Sequence, residues 1–452
     1  MASRRIWGWY FFDWASQPYA TLLTTFVFAP YMATLLGDGT AAQAAWGFGI
    51  GLAGLAIAVL APFLGALADR GGGRRGWIAG FSLLYVLGAW GLWWARPGDF
   101  SLAFVLVSFG IGLIAMEFAT IFTNAMLPDL APRAEIGRIS GAGWGFGYAG
   151  GVIALAAMLV FFVEGPGGRT LAGLAPAFGL DPGQREGTRA VGPFTAIWYA
   201  VFMLPFFLWT REPARPRMPF RAALAGVWPD LRASLAALPR QRSLATFLLA
   251  SMLYRDALNG IYVFGGIYAA GVLGWPVQMV GIFGILAAVS GAVFAWMGGR
   301  ADARFGPKPV VITTLALLTL AAFATVFVGR EHLFGRAMPP GSRLPDAAFM
   351  AIGLMIGAAG GALQAASRTM MVHQADPARM TEAFGLYALT GKATAFLAPL
   401  AIGLATTAGG SQQIGITPVI ALFLLGLALL VWVDPDGHPA PPSPATRPEA
   451  RP

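Results

Sequence analysis

The chain carries the segment GALADRGGGRR at residues 65–75, directly after its second long apolar run. A related segment, GGRADARFGPK at residues 298–308, follows the eighth such run. In both segments a glycine stands four residues before an aspartate, Asp69 or Asp302, and basic residues and glycine follow. A motif repeated at matching places in two halves is typical of a duplicated six-helix membrane bundle.

The composition is that of a membrane protein. Of 452 residues, 57% are hydrophobic and only 11% are charged, against roughly 25% charged residues in soluble domains. The apolar residues fall in runs of about 20, enough to cross a hydrocarbon core of ~30 Å, and lack the alternation of barrel strands. We predict an all-α integral membrane protein with twelve transmembrane helices in two six-helix bundles. The predicted spans are roughly 6–36, 44–68, 77–95, 100–127, 140–163, 194–209 (a short one), 244–272, 277–299, 309–328, 346–373, 383–407 and 416–433.

Several classes of function are excluded by composition. The net charge is +9, but the basic residues lie in short loops and form no nucleic-acid motif. Without cysteine the chain has no disulfide, thiolate metal site or cysteine nucleophile. There is no P-loop, and His332, His373 and His438 form no catalytic or metal constellation. We therefore expect no enzyme activity, no cofactor, no metal and no nucleic-acid partner.

The arginine distribution predicts the orientation. The termini and even-numbered loops hold most basic residues, including seven arginines between positions 211 and 242, and such residues favour the cytoplasmic side. We expect both termini in the cytoplasm and the protein in the plasma (inner) membrane, as a monomer surrounded by lipid.

Four regions follow from the apolar pattern. The N-terminal bundle covers 1–209 and the C-terminal bundle covers 244–433. Between them, linker 210–243 has apolar residues at helical spacing beside arginines, which predicts a short helix on the inner membrane surface, interrupted near Pro229. The proline-rich tail 434–452 is predicted to be disordered.

The repeated segments resemble the loop signature of the major facilitator superfamily, G-x-x-x-D-R-x-G-R-R. The first copy has one additional glycine, and the second has Asp302-Ala303-Arg304 in place of an adjacent Asp-Arg pair. The resemblance implies that the motif aspartate meets a helix N-terminus of the opposite bundle, where a carboxylate is stabilised, and holds one gating state. The alternative is a basic turn that only sets topology. The implied gating residues are Gly65, Asp69, Arg70, Arg74, Arg75, Asp302 and Arg304.

Three longer segments resemble the vacuole-effluxer-like branch of this superfamily: FFDWASQPYATLLTTFVFAPYMATLL (11–36), SGAGWGFGYAGG (140–151) and TEAFGLYALTGKATAFLAPL (381–400). Fungal members of that branch are associated with amino-acid export from the vacuole, whereas most bacterial members lack a defined substrate. The first-span motif of the branch usually reads D-W-A-N-S, but here Ser16 and Gln17 follow Ala15. Gln17 is therefore a candidate substrate contact.

Six charged residues lie within apolar spans, where a charge costs several kcal/mol unless it faces protein or water. They are Asp13, Glu117, Arg255, Asp256, Arg368 and Lys392. The superfamily plan implies that spans 1, 4, 7 and 10 line a central cavity, and all but Lys392 fall on those spans. We interpret the six as a candidate binding and coupling site.

Polar neighbours at helical spacing extend this candidate site. Asn124 shares a helix face with Glu117, Asn259 with Arg255, and Gln364 with Arg368. The alternative is a protonated carboxyl bonded to a neighbouring helix for Glu117, and a structural ion pair between the bundles for Arg255. For Asp13 it is a cap or gate near the inner interface. Arg368 could also extend its side chain toward the headgroups.

The charges favour a zwitterionic solute such as an amino acid. Under this hypothesis Arg255 holds the carboxylate, Glu117 or Asp256 faces the ammonium, and Glu117 carries any coupled proton. The resemblance implies secondary transport by alternating access, here of an amino-acid-like solute and in the direction of efflux. The alternatives are a carrier of another metabolite or drug class, and a sensor or assembly protein that no longer transports.

Overall fold

Within the residues that the structure describes, twelve helical segments are long and apolar enough to cross a membrane, as predicted, and they make up most of the chain. The computed structural model describes residues 4–36, 39–165, 167–213, 218–275 and 277–437. In chain order, spans 1 to 12 are Arg4–Leu36, Gly49–Gly71, Arg74–Trp94, Leu102–Asp129, Arg133–Phe161, Glu186–Trp209, Arg242–Leu273, Met279–Phe305, Pro307–Val326, Leu344–Gln374, Pro377–Gly409 and Gln412–Trp432.

Spans 1, 6 and 11 depart from a regular helix or from the prediction. Span 1 has a π-helical stretch at Tyr19–Phe26, a feature frequent at functional sites. Span 11 is broken between the helices Met380–Ala393 and Leu397–Gly409. The prediction of a short span 6 was wrong, because a polar helical turn, Glu186–Arg189, precedes the apolar residues.

The most extensive contacts between the bundles are made by spans 2 and 11 and by spans 5 and 8. They meet most closely near the face at which span 1 begins and span 12 ends, called here the termini face. There the backbones nearly touch: a Cβ on Gly65 would lie 2.6 Å from the carbonyl oxygen of Thr381, and one on Gly141 would overlap Ala295. Farther from that face, the ring of Phe26 packs on Gly284. The structure is therefore closed at the termini face.

Small residues also allow span 5 to pack on span 1. A side chain at Gly143 would meet Trp9 and Asp13, one at Gly147 would meet Asp13, and one at Gly151 would meet Gln17. Close approach of this kind is what small residues at four-residue spacing permit.

The segments outside the spans include a helix and a hairpin. The linker contains the helix Phe220–Ala237, which continues through Pro229, so the predicted interruption was wrong. Strands His332–Leu333 and Arg336–Ala337 form an antiparallel hairpin between spans 9 and 10. Of the tail, residues 434–437 lie against spans 5, 7 and 10, and residues 438–452 are outside the described residues.

Candidate functional site

The six charges separate into two groups at different depths. Along their helices, Arg255 is about 20 Å from the termini-face end of span 7 and Glu117 about 18 Å from that of span 4. Arg368 is only about 9 Å from the end of span 10. The first group lies near the middle of the bundle and the second lies in the closed end.

The central group contains an ion pair between the bundles. Lys392 Nζ on span 11 donates to Glu117 Oε1 on span 4 at 2.7 Å. The two side chains are 28% and 23% exposed, so the pair is accessible rather than sealed in the core. A polar solute could reach Glu117 and compete with Lys392 for it.

Arg255 lies beside this pair. Its guanidinium is 4.1 Å from the centre of the Tyr387 ring, and NH1 donates to the Tyr387 carbonyl at 2.7 Å. The same group rests on Gly391, where a Cβ would lie 2.6 Å from it, so any side chain there would displace Arg255. Among the described residues Arg255 has no carboxylate partner. Its remaining donors are available for an anion.

Asp256 and Asn259 have different environments on the same helix. Asp256 is buried, and its Oδ2 accepts the backbone N–H of Ala398 at 2.8 Å. It thus caps the second helix of the broken span 11, where a carboxylate is favourable. Asn259, one turn beyond Arg255, is exposed.

The deeper group is centred on Arg368. Its NH1 donates to Asp13 Oδ2 at 3.1 Å and to Asn124 Oδ1 at 3.2 Å. The side chains of Arg368 and Asp13 are 4% and 13% exposed, so Arg368 does not extend toward the headgroups. The ion pair joins span 10 of one bundle to span 1 of the other.

Residues that the sequence interpretation did not single out complete this cluster. Ser140 accepts from Arg368 twice, through Oγ at 2.9 Å and through its carbonyl at 2.7 Å. The Trp9 ring lies 4.7 Å from the guanidinium, a cation–π distance. Ser140 opens the quoted segment 140–151, but its own role had no signal in the sequence.

Gln364 and Gln17 lie against span 5. Gln364 Nε2 donates to the Tyr148 hydroxyl at 2.9 Å, which links span 10 to span 5. Gln17 packs at Gly151. Tyr148 is a further residue that the sequence interpretation missed.

Asp69 of the first repeated segment accepts backbone N–H groups at the start of span 11. Its oxygens are 3.2 Å from the Thr381 nitrogen and 2.9 Å from the Glu382 nitrogen. Arg74 pairs with Asp69 at 2.9 Å and donates to the Thr381 hydroxyl at 2.7 Å. This arrangement is the contact with the opposite bundle that the resemblance implies.

The second segment differs in its aspartate. Asp302 is buried against Gly137 near the start of span 5, with Thr369 beside it. Its Oδ2 has no hydrogen-bond partner among the described residues. The position matching Arg74 is Pro307, so no cation comes from there. Arg304 is exposed and contacts the ring of Phe305.

The last basic residues of the two segments have equivalent contacts. Arg75 donates to the carbonyl of Phe207 at the end of span 6. Lys308 donates to the carbonyl of Val433, after span 12, at 2.7 Å. Each therefore ties the third helix of its bundle to the sixth.

Arg70 contacts the linker rather than the opposite bundle. Its Nε donates to Asp230 Oδ2 on the helix Phe220–Ala237. This hydrogen bond lowers the pKa of Asp230 below its ordinary value, because it stabilises the ionised carboxylate. The linker helix is thereby attached to the end of span 2.

The fold and these contacts can be set beside known proteins. The family model described as "Vacuole effluxer Atg22 like" matches residues 42–437. The chain belongs to this Atg22-like family. The MFS-type transporter YxiO of Bacillus subtilis is 22% identical over 95% of this chain and 94% of its own length. Autophagy-related protein 22-1 of Aspergillus niger is 22% identical over 66% of this chain, which spans about half (47%) of that relative.

A solved structure shows the same fold. The human organic anion transporter MFSD10 superposes with a TM-score of 0.67 at 20% identity, over 94% of this chain and 99% of that one. The Atg22-like chain is thus an integral membrane protein of the major facilitator fold and of a transporter family. Within the described part of the chain, no group of three or more His, Cys, Asp or Glu residues could hold a metal ion.

Proposed function

We propose that this Atg22-like protein is a secondary active transporter of a small solute that carries a carboxylate and an ammonium group. The observation that carries the proposal is Arg255, a cation at mid-depth without an acidic partner among the described residues. A guanidinium fork suits a carboxylate. The neighbouring Glu117–Lys392 pair supplies an exchangeable anion for the ammonium.

The solute would sit between the two bundles. Its carboxylate would take the free donors of Arg255, and its ammonium would compete with Lys392 for Glu117. Of the two carboxylates considered for the ammonium, Glu117 is accessible and Asp256 is a buried helix cap. Release of Glu117 from Lys392 would also let it accept a coupled proton.

Alternating access requires the termini face to open. Opening would separate Arg368 from Asp13 and Asp69 from the start of span 11, since each contact joins the two bundles. The distribution of arginines supports a cytoplasmic termini face in the inner membrane, and the family's description as effluxers supports export. We propose that the unit is a monomer.

Ligand stabilisation of the purified protein tests the substrate class. We expect amino acids to raise the melting temperature, peptides and sugars to leave it unchanged, and Arg255→Gln to abolish the amino-acid shift. Arg138→Gln is the matched control, because Arg138 is exposed and forms its salt bridge among the described residues with Glu135. If only sugars or only peptides raised the melting temperature, they would replace amino acids as the substrate class. No shift with any solute would favour a non-transporting protein.

A second experiment tests whether Glu117 carries a coupled proton. In vesicles, a pH gradient should drive uptake by the wild type, whereas Glu117→Gln should exchange solute without responding to the gradient. Unchanged gradient-driven uptake in Glu117→Gln would remove Glu117 from coupling.

A further inference from the structure

The linker helix Phe220–Ala237 presents three different surfaces. The first is buried: Ala223 and Val227 pack against Ala66 and Leu67 of span 2. This surface fixes the helix at the termini-face end of the first bundle.

The second surface contacts both sides of the joint between spans 2 and 11. The Asp230 carboxylate accepts from Arg70 of span 2, and the Asp230 carbonyl accepts from Arg379 of span 11 at 3.1 Å. Ser234 lies beside Glu382, which itself pairs with Arg379 at 2.7 Å. A single turn of the linker helix therefore holds the two bundles together in the closed state.

The third surface is apolar and exposed. Its large side chains recur at helical spacing on one side of the helix. They are Phe220 (63% exposed), Leu224 (42%), Trp228 (67%) and Leu235 (47%). Exposed Arg221 and Arg232 border them. The only acidic residue of the helix, Asp230, is on the second surface.

This third surface continues the lipid-facing side of span 2. Val59 and Leu60 are exposed one to two turns before Ala66, so exposed apolar surface runs from the span toward the helix. An apolar stripe with a tryptophan and bordering arginines is the pattern of a helix lying in the membrane interface. Since its exposed charges are all positive, the partner of matching chemistry is an anionic phospholipid.

We propose that anionic phospholipids of the leaflet at the termini face bind the linker helix and thereby hold the gate between spans 2 and 11 closed. Opening moves Arg70 and Arg379 apart, so Asp230 can no longer contact both. A lipid that binds the linker helix more tightly in the closed state than in the open state must favour the closed state by that difference in binding free energy. The proposal is independent of the identity of the solute.

The experiment uses the full-length chain, which has no native cysteine, with spin labels at Ala134→Cys and Ala378→Cys. Both positions are exposed at the termini face, on opposite bundles. The distance distribution is measured in phosphatidylcholine nanodiscs with and without one third phosphatidylglycerol. Phosphatidylglycerol should raise the closed-to-open ratio on the order of tenfold, given the attraction of two arginines to an anionic surface.

Variants distinguish lipid binding at the linker helix from a general effect of lipid charge on the protein. Arg221→Gln/Arg232→Gln should lose the lipid response, and so should Trp228→Ser, which keeps every charge. The control Arg336→Gln/Arg343→Gln removes the same charge from exposed positions at the opposite face and should keep the response. Asp230→Asn should lower the closed fraction in both lipids.

Two outcomes would overturn the proposal: a wild-type distribution that ignores phosphatidylglycerol, or a full response in both helix-surface variants. No solute is present in this measurement, so its failure would leave the transport proposal untouched.

Discussion

Replacing Arg368 by glutamine should open the termini face. Arg368 and Asp13 are 4% and 13% exposed and 3.1 Å apart, so the substitution leaves Asp13 without its cation inside the protein. Removing one partner of a buried pair typically costs about 3–5 kcal/mol, against about 0.2–1 kcal/mol for an exposed pair. Because the pair joins the two bundles, this cost falls on the closed state. The closed-to-open ratio should fall roughly a hundredfold to several thousandfold.

Spin labels at Ala134→Cys and Ala303→Cys, exposed positions on spans 5 and 8, report this change directly. We expect one short distance in the wild type and an added long distance in Arg368→Gln. Arg138→Gln is the control, because it removes an exposed arginine of span 5 and should keep the short distance.

The double variant Asp13→Asn/Arg368→Gln provides the decisive comparison. It leaves no unpaired charge, so it should recover part of the closed population that Arg368→Gln loses. A distance distribution in Arg368→Gln that matches the wild-type distribution would refute a gating role for the pair. If the melting temperature fell without a change in distance, the pair would support the fold of the closed protein and not its gate.

The two motif aspartates should behave differently. Asp69→Asn loses the carboxylate that accepts from the start of span 11 and pairs with buried Arg74, and it should open the termini face in the same assay. Asp302→Asn loses no cation among the described residues and should change the distances little; equal effects would contradict the asymmetry. A third prediction concerns pH. Because Arg70 lowers the pKa of Asp230 below its ordinary value, their bond contributes fully above the ordinary pKa of an aspartate and is lost only as pH falls through the lowered pKa. The distance between labels at Ala134→Cys and Ala378→Cys should therefore change little from about pH 8 to pH 5. Comparison with the Asp230→Asn variant shows whether any change depends on Asp230.

The spans could be predicted from the sequence because membrane crossing depends on length and hydropathy, both of which are local. The partners of the charges could not, because they depend on how each helix is rotated within its bundle. Glu117 and Lys392 are 275 positions apart, and nothing local relates them. The neighbours Arg255 and Asp256 were correctly expected to find separate partners. Nothing in the sequence indicated that Arg255 would stack on Tyr387 or that Asp256 would cap the second helix of span 11.

The repeat was more informative, since its departures from symmetry were already visible in the sequence. Where the segments agree, with Arg75 matching Lys308, both basic residues tie helices within one bundle. Where they disagree, with Arg74 matching Pro307, one joint between the bundles gains a buried cation and the other does not.

The two joints share close backbone contact and differ in charge. Spans 2 and 11 are also held by charge: Asp69 and Arg74 act from within, and Asp230 of the linker helix acts from outside. Spans 5 and 8 are held by backbone contact, with Gly141 and Gly299 so close that a Cβ on Gly299 would lie 2.7 Å from the Gly141 Cα. Electrostatic contacts respond to salt and headgroup charge, and close packing responds to the volume of side chains. A signal from the membrane surface should consequently act first on the joint between spans 2 and 11, which is the one that the linker helix covers.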